Sequence, residues 1–520
     1  MESPDTQRVK TGISGLDEIL TGGIPRGNVI LIEGAIGTGK TTVGVEFIYR
    51  GISQFGEPGV IVVFEVSPDK LTRDAAGLGW DLPALEKSQK LKIIYTTRDI
   101  FRQEMQQPDS LLLEESNKIG ARRIFIDGAA ALLSANAVQD ARETFHILVQ
   151  GLQRERLTAM LALDAEVLME GEFTSRFEES IADTCIRLRK EDIQRATARS
   201  IEVVKSRGQD FQMGRHSMRI VDGKGIEVYR RVQAPRAASR DRASAFDPTT
   251  RVSTGIPGLD PLVNGGYFLG STTVMAGISG VGKTVMGLQY IAEGARLNER
   301  SLLLSLDEQV PQLLRNASSV GIDLQKALDS GIVMMQYDTP QEIDIDHHFY
   351  RIEKMVEEFK PRRVLIDSLS TYGLALGTQG RLFRDFFHAL VALMKEHQIA
   401  AVYNLENPEM LGMSSMMGVF HMSSLVDNIV LMNFIELGDT FRRGLTVGKM
   451  RSNLVNHSTH ECEVVSGAGM RVLPRQLPTA KSKRAFSTYH ALISRSPERR
   501  SPQMLARQEQ QVPGWCCTQV

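Results

Sequence analysis

The chain has 520 residues, too many for one hydrophobic core, and ordinary domain sizes predict roughly two to four domains. Hydrophobic residues make up 42% and charged residues 24%, the balance of a globular protein and not of a fibrous or disordered one. The net charge of -1 argues against a generally basic nucleic-acid binder.

The chain begins Met1-Glu2-Ser3-Pro4-Asp5, which is polar and carries no apolar signal segment. No stretch approaches the roughly 20 apolar residues of a membrane span. The four cysteines, Cys185, Cys462, Cys516 and Cys517, lack zinc spacing and suit a reducing compartment, so a cytoplasmic location is expected.

The first recurring signature is Thr11-Gly12-Ile13-Ser14-Gly15-Leu16-Asp17, followed by Gly22-Gly23. The apolar run Val29-Ile30-Leu31-Ile32 then leads into Gly34-Ala35-Ile36-Gly37-Thr38-Gly39-Lys40-Thr41-Thr42 and a helical pattern. Strand, glycine loop and helix in that order are the context of a phosphate loop. Glycines let successive backbone N–H groups turn onto phosphate oxygens, and the helix adds its positive N-terminal end. Lys40 would neutralise the β- and γ-phosphates, and the Thr41 hydroxyl would ligate Mg²⁺.

Short apolar runs follow at Val60 to Phe64, Arg123 to Ile126 and Met160 to Leu163, separated by helical patterns. That alternation predicts a mostly parallel sheet flanked by helices. Glu65, just after the first of these strands, is a candidate to orient or deprotonate a nucleophile. Asp127, just after the second, is the candidate Mg²⁺ acid at the carboxyl edge of the sheet. An acid at a strand end also serves as a turn former or helix cap. Lys205 and Arg207, two apart on a strand, share a face and read as fingers completing a neighbouring subunit's site. Solvated strand charges are the alternative.

Residues 1–233 thus form one domain, and 234–250, rich in Ala, Arg, Ser and Pro, reads as a linker. Residues 251–473 then repeat the first domain in register. Thr254-Gly255-Ile256-Pro257-Gly258-Leu259-Asp260 and Gly265-Gly266 match the first signature, and Val320 to Leu324 repeats Leu78 to Leu82. The second phosphate loop is Gly277-Ile278-Ser279-Gly280-Val281-Gly282-Lys283-Thr284, running into Val285. Leu302 to Leu306, Val364 to Ile366 and Ala400 to Tyr403 read as strands, and Leu382 to Lys395 as an amphipathic helix. Asp307-Glu308 stands where the first copy has Glu65, Asp367 where it has Asp127, and Lys449 with Arg451 where it has Lys205 and Arg207. Two copies in register favour chemistry over coincidence at each of these positions.

Asp344, Asp346, His347 and His348 resemble metal ligands, but alternation along an extended segment would put them on opposite faces, and a charged helix entrance is the simpler reading. The stretch Met410 to Met422 reads as adaptable packing. Residues 474–520, with Lys481, Lys483, Arg484, Arg495, Arg499 and Arg500, read as a basic, disordered tail.

Together, the two phosphate loops, the paired Thr-Gly-Ile-x-Gly-Leu-Asp signatures, Ile366 to Ser370 and Lys449-Met450-Arg451 resemble the KaiC family of tandem RecA-like ATPases, over roughly residues 8–473. The resemblance implies a homohexameric double ring with ATP between subunits, hydrolysing in the first ring and autophosphorylating in the second. By position it gives Glu65 the role of hydrolytic glutamate and Asp307 that of general base, with Glu308 beside it. The family's phosphorylated Ser-Thr pair falls on Ser423 and Ser424, in His421-Met422-Ser423-Ser424 before Asp427. Val66 replaces a second glutamate in the first ring, Asp307 is one methylene shorter than the family's residue, and Ser424 replaces Thr.

The expected function is therefore an ATPase and serine/threonine autokinase in circadian-type or stress signalling. A KaiB-like partner fits the resemblance. The tail does not match a KaiA-binding tail, and neither a membrane nor nucleic acid is expected as a partner. The alternatives are an ATP-gated ring scaffold without phosphotransfer and a RecA-like DNA-repair ATPase.

Overall fold

The computed structural model describes residues 8–106, 111–129, 138–164, 177–193, 196–233, 249–339, 344–376, 381–406 and 424–477. The Met-rich stretch, Ser423 and most of the expected linker and basic tail lie outside the described residues, although strand Gly469–Gln476 runs past the expected domain end at 473. Chain contacts separate into two compact units. The first is Met1–Ala237 with Gln341–Lys360 and Asp385–Leu393, and the second is the remainder.

Each unit is built on a nine-stranded sheet. In the first the order is Gly225–Tyr229, Arg215–Val221, Ala196–Ser206, Thr184–Ile193, Val29–Gly34, Thr158–Asp164, Arg123–Ile126, Gly59–Val63 and Leu91–Tyr95. The pairings from Thr184–Ile193 through Leu91–Tyr95 are parallel, and the other three are antiparallel. The second unit repeats the plan as Val333–Tyr337, Ser301–Ser305, Arg363–Asp367, Ala400–Glu406, Thr272–Gly277, Asn428–Leu437, Thr440–Met450, Thr459–Val465 and Gly469–Gln476.

The sequence pattern explains the layering. Val29–Gly34 and Gly59–Val63 are buried at every position, as strands covered on both faces require. Helices Lys40–Phe55 and Lys283–Arg296, one after each phosphate loop, bury apolar stripes that include Phe47, Ile48, Leu288 and Ile291. The carboxyl ends of the parallel strands therefore meet along one edge in each unit, where an open α/β sheet receives its ligand.

The repeated Thr-Gly-Ile-x-Gly-Leu-Asp signature is a structural tie. Asp17 accepts from the backbone N–H and hydroxyl of Thr11 at 2.7 and 2.8 Å, and Asp260 does the same with Thr254 at 2.8 and 2.6 Å. Neither acid is left for catalysis. The segment holding Asp344 to His348 is helical and not extended. Asp344 caps helix Ile345–Phe359 by accepting from the N–H groups of Asp346 and His347, so the charged helix entrance stands. Among the described residues no cluster of acids, histidines and cysteines could hold a metal, and no helix is long and apolar enough to cross a membrane.

The copies differ in charge at a buried position on the phosphate-loop helix. Gln289 accepts from Met470 N–H at 2.8 Å and donates to its carbonyl at 3.0 Å. Its counterpart Glu46 accepts from Ile226 N–H at 2.7 Å and pairs with Arg50. Burial, opposed by the Ile226 N–H and by Arg50, pushes the Glu46 carboxyl from 4.5 up to about 7. The folded state thus holds a proton that the unfolded chain releases, and stability falls as pH rises through that window. Glu46→Gln is expected to leave the unfolding midpoint unchanged near pH 5 and to raise it above that of the parent near pH 8. Parallel midpoint-against-pH curves for the two proteins in thermal unfolding would contradict this.

Candidate functional site

In both units the phosphate loop closes the strand it follows. A Cβ on Gly277 would lie 2.4 Å from the Met432 carbonyl oxygen, so that strand end accepts no larger residue. Gly39 and Gly282 cap the following helices at φ 106° and 108°, a left-handed backbone that glycine adopts without strain. The loops therefore take the same shape twice. Gly37 and Gly280 are equally left-handed, at φ 78° and 76°. Thr38 and Val281 are buried and hold the loop from below, Thr38 by donating to the Ala35 carbonyl at 2.8 Å. Thr42 and Val285 continue the first helical turn and are half-buried.

The lysines fold back over their loops. Lys40 donates to the carbonyls of Gly34 and Ala35 at 2.7 and 3.0 Å and pairs with Asp164 at 2.8 Å. Lys283 donates to Gly277 and Ile278 at 2.8 and 2.9 Å. Burial draws the Lys283 pKa down, while Glu406, Asp367 and Asp307 pull it back up.

Thr41 donates to Asp127 at 2.8 Å, and Thr284 bonds Asp367 in the same way. Both acids end their strands as the sequence implied. Burial raises both carboxyls, opposed by the hydrogen bonds from Thr41 and Thr284 and by the charges of Lys40 and Lys283. In each unit one carboxylate beside one threonine hydroxyl forms an all-oxygen donor pair of the kind that fits Mg²⁺. When bound, such an ion would neutralise charge developing on the phosphates during transfer. The protein's part is to fix Thr41 with Asp127, and Thr284 with Asp367, beside the loop.

The candidate bases stand on the neighbouring strand ends. Glu65 is exposed just beyond Gly59–Val63. In the second unit the acid pair divides. Glu308 accepts from Asn316 at 2.6 Å and is turned toward helix Val310–Ser319, whereas Asp307 faces Thr371.

The basic pairs end strands Ala196–Ser206 and Thr440–Met450. Lys205 donates to the carbonyls of Glu179 and Ala182, both at 2.7 Å, and Arg207 to that of Ser180 at 2.7 Å. Lys449 donates to the Val426 carbonyl at 2.8 Å, and Arg451 to that of Ser424 at 2.5 Å and to Asp427 at 3.3 Å. Each pair acts on one side of its strand, binding the segment that leads into the strand beside the phosphate loop. Ser424 itself is exposed.

Two acids escaped the sequence reading. Asp164 and Glu406 end the strands next to the phosphate-loop strands, paired with Gly34 and Gly277 in the same register. The signal was present, because both Met160 to Leu163 and Ala400 to Tyr403 lead toward an acid. Thr371 escaped as well, one residue past the Ile366 to Ser370 motif.

Two sheets that each present a glycine loop, its lysine and a hydroxyl–carboxylate pair at the carboxyl edge define tandem RecA-like phosphate-loop ATPase domains. The family model described as "ATPase: KaiC" matches residues 9–233 and again 252–477. A circadian clock oscillator protein KaiC from Picosynechococcus sp. is 31% identical over 502 residues, covering 95% of this chain and 93% of the relative. One from Prochlorococcus marinus is 31% identical over 509 residues, covering 95% and 96%. Circadian clock oscillator protein KaiC 1 from Synechocystis sp. is 31% identical over 502 residues, covering 95% and 92%. The chain belongs to the KaiC family.

Proposed function

We propose that this KaiC-family ATPase hydrolyses ATP in its first domain and phosphorylates its own Ser423 or Ser424 in its second. Mg²⁺ is held in each domain by the threonine and aspartate beside the loop. The working form is a cytoplasmic homohexamer in circadian-type or stress signalling, with a KaiB-like protein as a candidate partner.

The observation that carries this reading is the bond from Arg451 to the Ser424 carbonyl at 2.5 Å, with Lys449 tied to Val426 nearby. Acceptor serine and basic finger belong to one structural unit, so a neighbouring subunit's γ-phosphate would meet both together. Asp307 would take the serine proton, since it lies near the loop lysine Lys283 while Glu308 is turned toward Asn316. Glu65 would orient water in the first domain.

Light scattering in Mg·ATP is expected to give about six times the chain mass of 57.7 kDa. Mass spectrometry after incubation with ATP is expected to find phosphate on the peptide holding Ser423 and Ser424. A chain that stays monomeric in saturating nucleotide would remove the shared-site mechanism. A hexamer with no phosphate on any residue would remove the kinase and leave the ATPase.

A further inference from the structure

The candidate base Asp307 already has a hydroxyl partner within its own subunit. Thr371 Oγ1 donates to Asp307 Oδ1 at 2.5 Å, and Ser368 Oγ lies 3.1 Å from Thr371 Oγ1. Thr371 sits in the first turn of helix Leu369–Leu376, directly after the strand that ends in Asp367. Asp307 lies within electrostatic reach of both Lys283 and Asp367. The hydroxyl is therefore at the edge where the phosphate loop presents its ligand, with its proton directed at the carboxylate.

Its neighbours are otherwise engaged. Ser370 Oγ accepts from Glu406 N–H at 2.6 Å, which ties it to the adjacent strand end. The first copy supplies the contrast. With Asp127 aligned on Asp367, Gly128-Ala129-Ala130-Ala131 stands where the second copy has Ser368-Leu369-Ser370-Thr371. Three of the four residues after Asp367 carry a hydroxyl, and none of the four after Asp127 does.

We propose that Thr371 is itself a phosphoacceptor, modified in cis from the ATP of its own domain. The inference rests on phosphate transfer in the second domain as read above. Thr371 Oγ1 forms a bond to the γ-phosphorus as the bond from that phosphorus to the β–γ bridging oxygen breaks. The electron pair leaves on ADP, and the threonine proton passes to Asp307 and then to water. The resulting phosphothreonine lies in the first turn of an eight-residue helix, whose positive end favours the added charge.

The test incubates the full chain with Mg·ATP and maps phosphate by mass spectrometry in the parent and in Thr371→Val, Thr371→Ser and Asp307→Asn. The mark is expected at position 371 in the parent and in Thr371→Ser, and absent in Thr371→Val and Asp307→Asn. It is expected to persist when Ser423 and Ser424 are both changed to Ala. Mass-tagged Lys283→Ala chains assembled with Thr371→Val chains are expected to carry none at Thr371, because transfer is in cis. Phosphate on Ser423 or Ser424 with none at Thr371 overturns this inference and leaves the kinase reading intact. Phosphate on no residue removes both. A marked Thr371 on the tagged chain overturns the cis assignment.

Discussion

Lys283→Ala is expected to slow phosphate transfer in the second domain by roughly 10²–10³-fold, the usual effect of removing one preorganised charge from a transferring group. Lys283 is the loop's cation and lies beside three acids, Glu406, Asp367 and Asp307. Without it those acids face the incoming phosphates uncompensated, so nucleotide affinity is expected to fall together with the rate. Lys283→Arg is expected to recover little. The ammonium is held between the Gly277 and Ile278 carbonyls at 2.8 and 2.9 Å, a site that a planar fork does not match. Single-turnover transfer from labelled ATP, with binding measured by calorimetry, separates the two effects. A rate within tenfold of the parent would show that the loop lysine does not carry the chemistry. Lys40→Ala is expected to act in the same direction on hydrolysis in the first domain, where Lys40 has Asp164 as its partner.

The second large effect concerns stability. Arg363→Ala is expected to destabilise its unit by about 3–5 kcal/mol, the range for breaking a buried ion pair. Arg363 is fully buried at the start of its strand. It bonds Glu299 at 2.6–2.7 Å and the Ser253 carbonyl at 2.6 Å, and lies 4.9 Å over the Tyr290 ring. The first copy repeats the arrangement with Arg123, which bonds Glu57 at 2.6–2.7 Å and the Phe47 carbonyl at 3.1 Å. Truncation removes one of the two guanidinium partners of Glu299, which keeps Arg362 at 2.8 Å, and leaves the Ser253 and Tyr290 carbonyls without that donor. Arg363→Met combined with Glu299→Leu is expected to be less harmful than Arg363→Ala alone, because both charges go together and Arg362, the other partner of Glu299, is exposed enough to be solvated. Chemical denaturation read by circular dichroism tests the pair. Equal losses for the single and double variants would mean that packing, not the stranded charge, sets the penalty.

These arginines mark where reading the sequence reached its limit. Arg123 to Ile126 and Val364 to Ile366 were legible as strands from their apolar runs. That the leading arginine of each would be buried was not, because its partners Glu57 and Glu299 come from distant turns. The phosphate loops, by contrast, were legible in full. Their function resides in consecutive backbone groups, so a local pattern of Gly, Lys and Thr specifies it without help from the fold. The places of Asp127 and Asp367 at strand ends were legible from their own strands, and two-residue spacing gave Lys205 and Arg207 a common side, but not that both would donate to carbonyls of their own chain.

What the chain's linear order determined, then, was everything carried by short segments and their duplication: two glycine cradles, two mostly parallel sheets and the acids that close their strands. The tertiary structure decided how side chains far apart in sequence divide their work. It turned Glu308 toward Asn316 and Asp307 toward Thr371, and it tied Arg451 to the Ser424 backbone. It also brought Asp164 onto Lys40. Those choices depend on strand register and on which helix packs beside which strand end, and hydrogen bonds between distant segments form only once the sheet has fixed both.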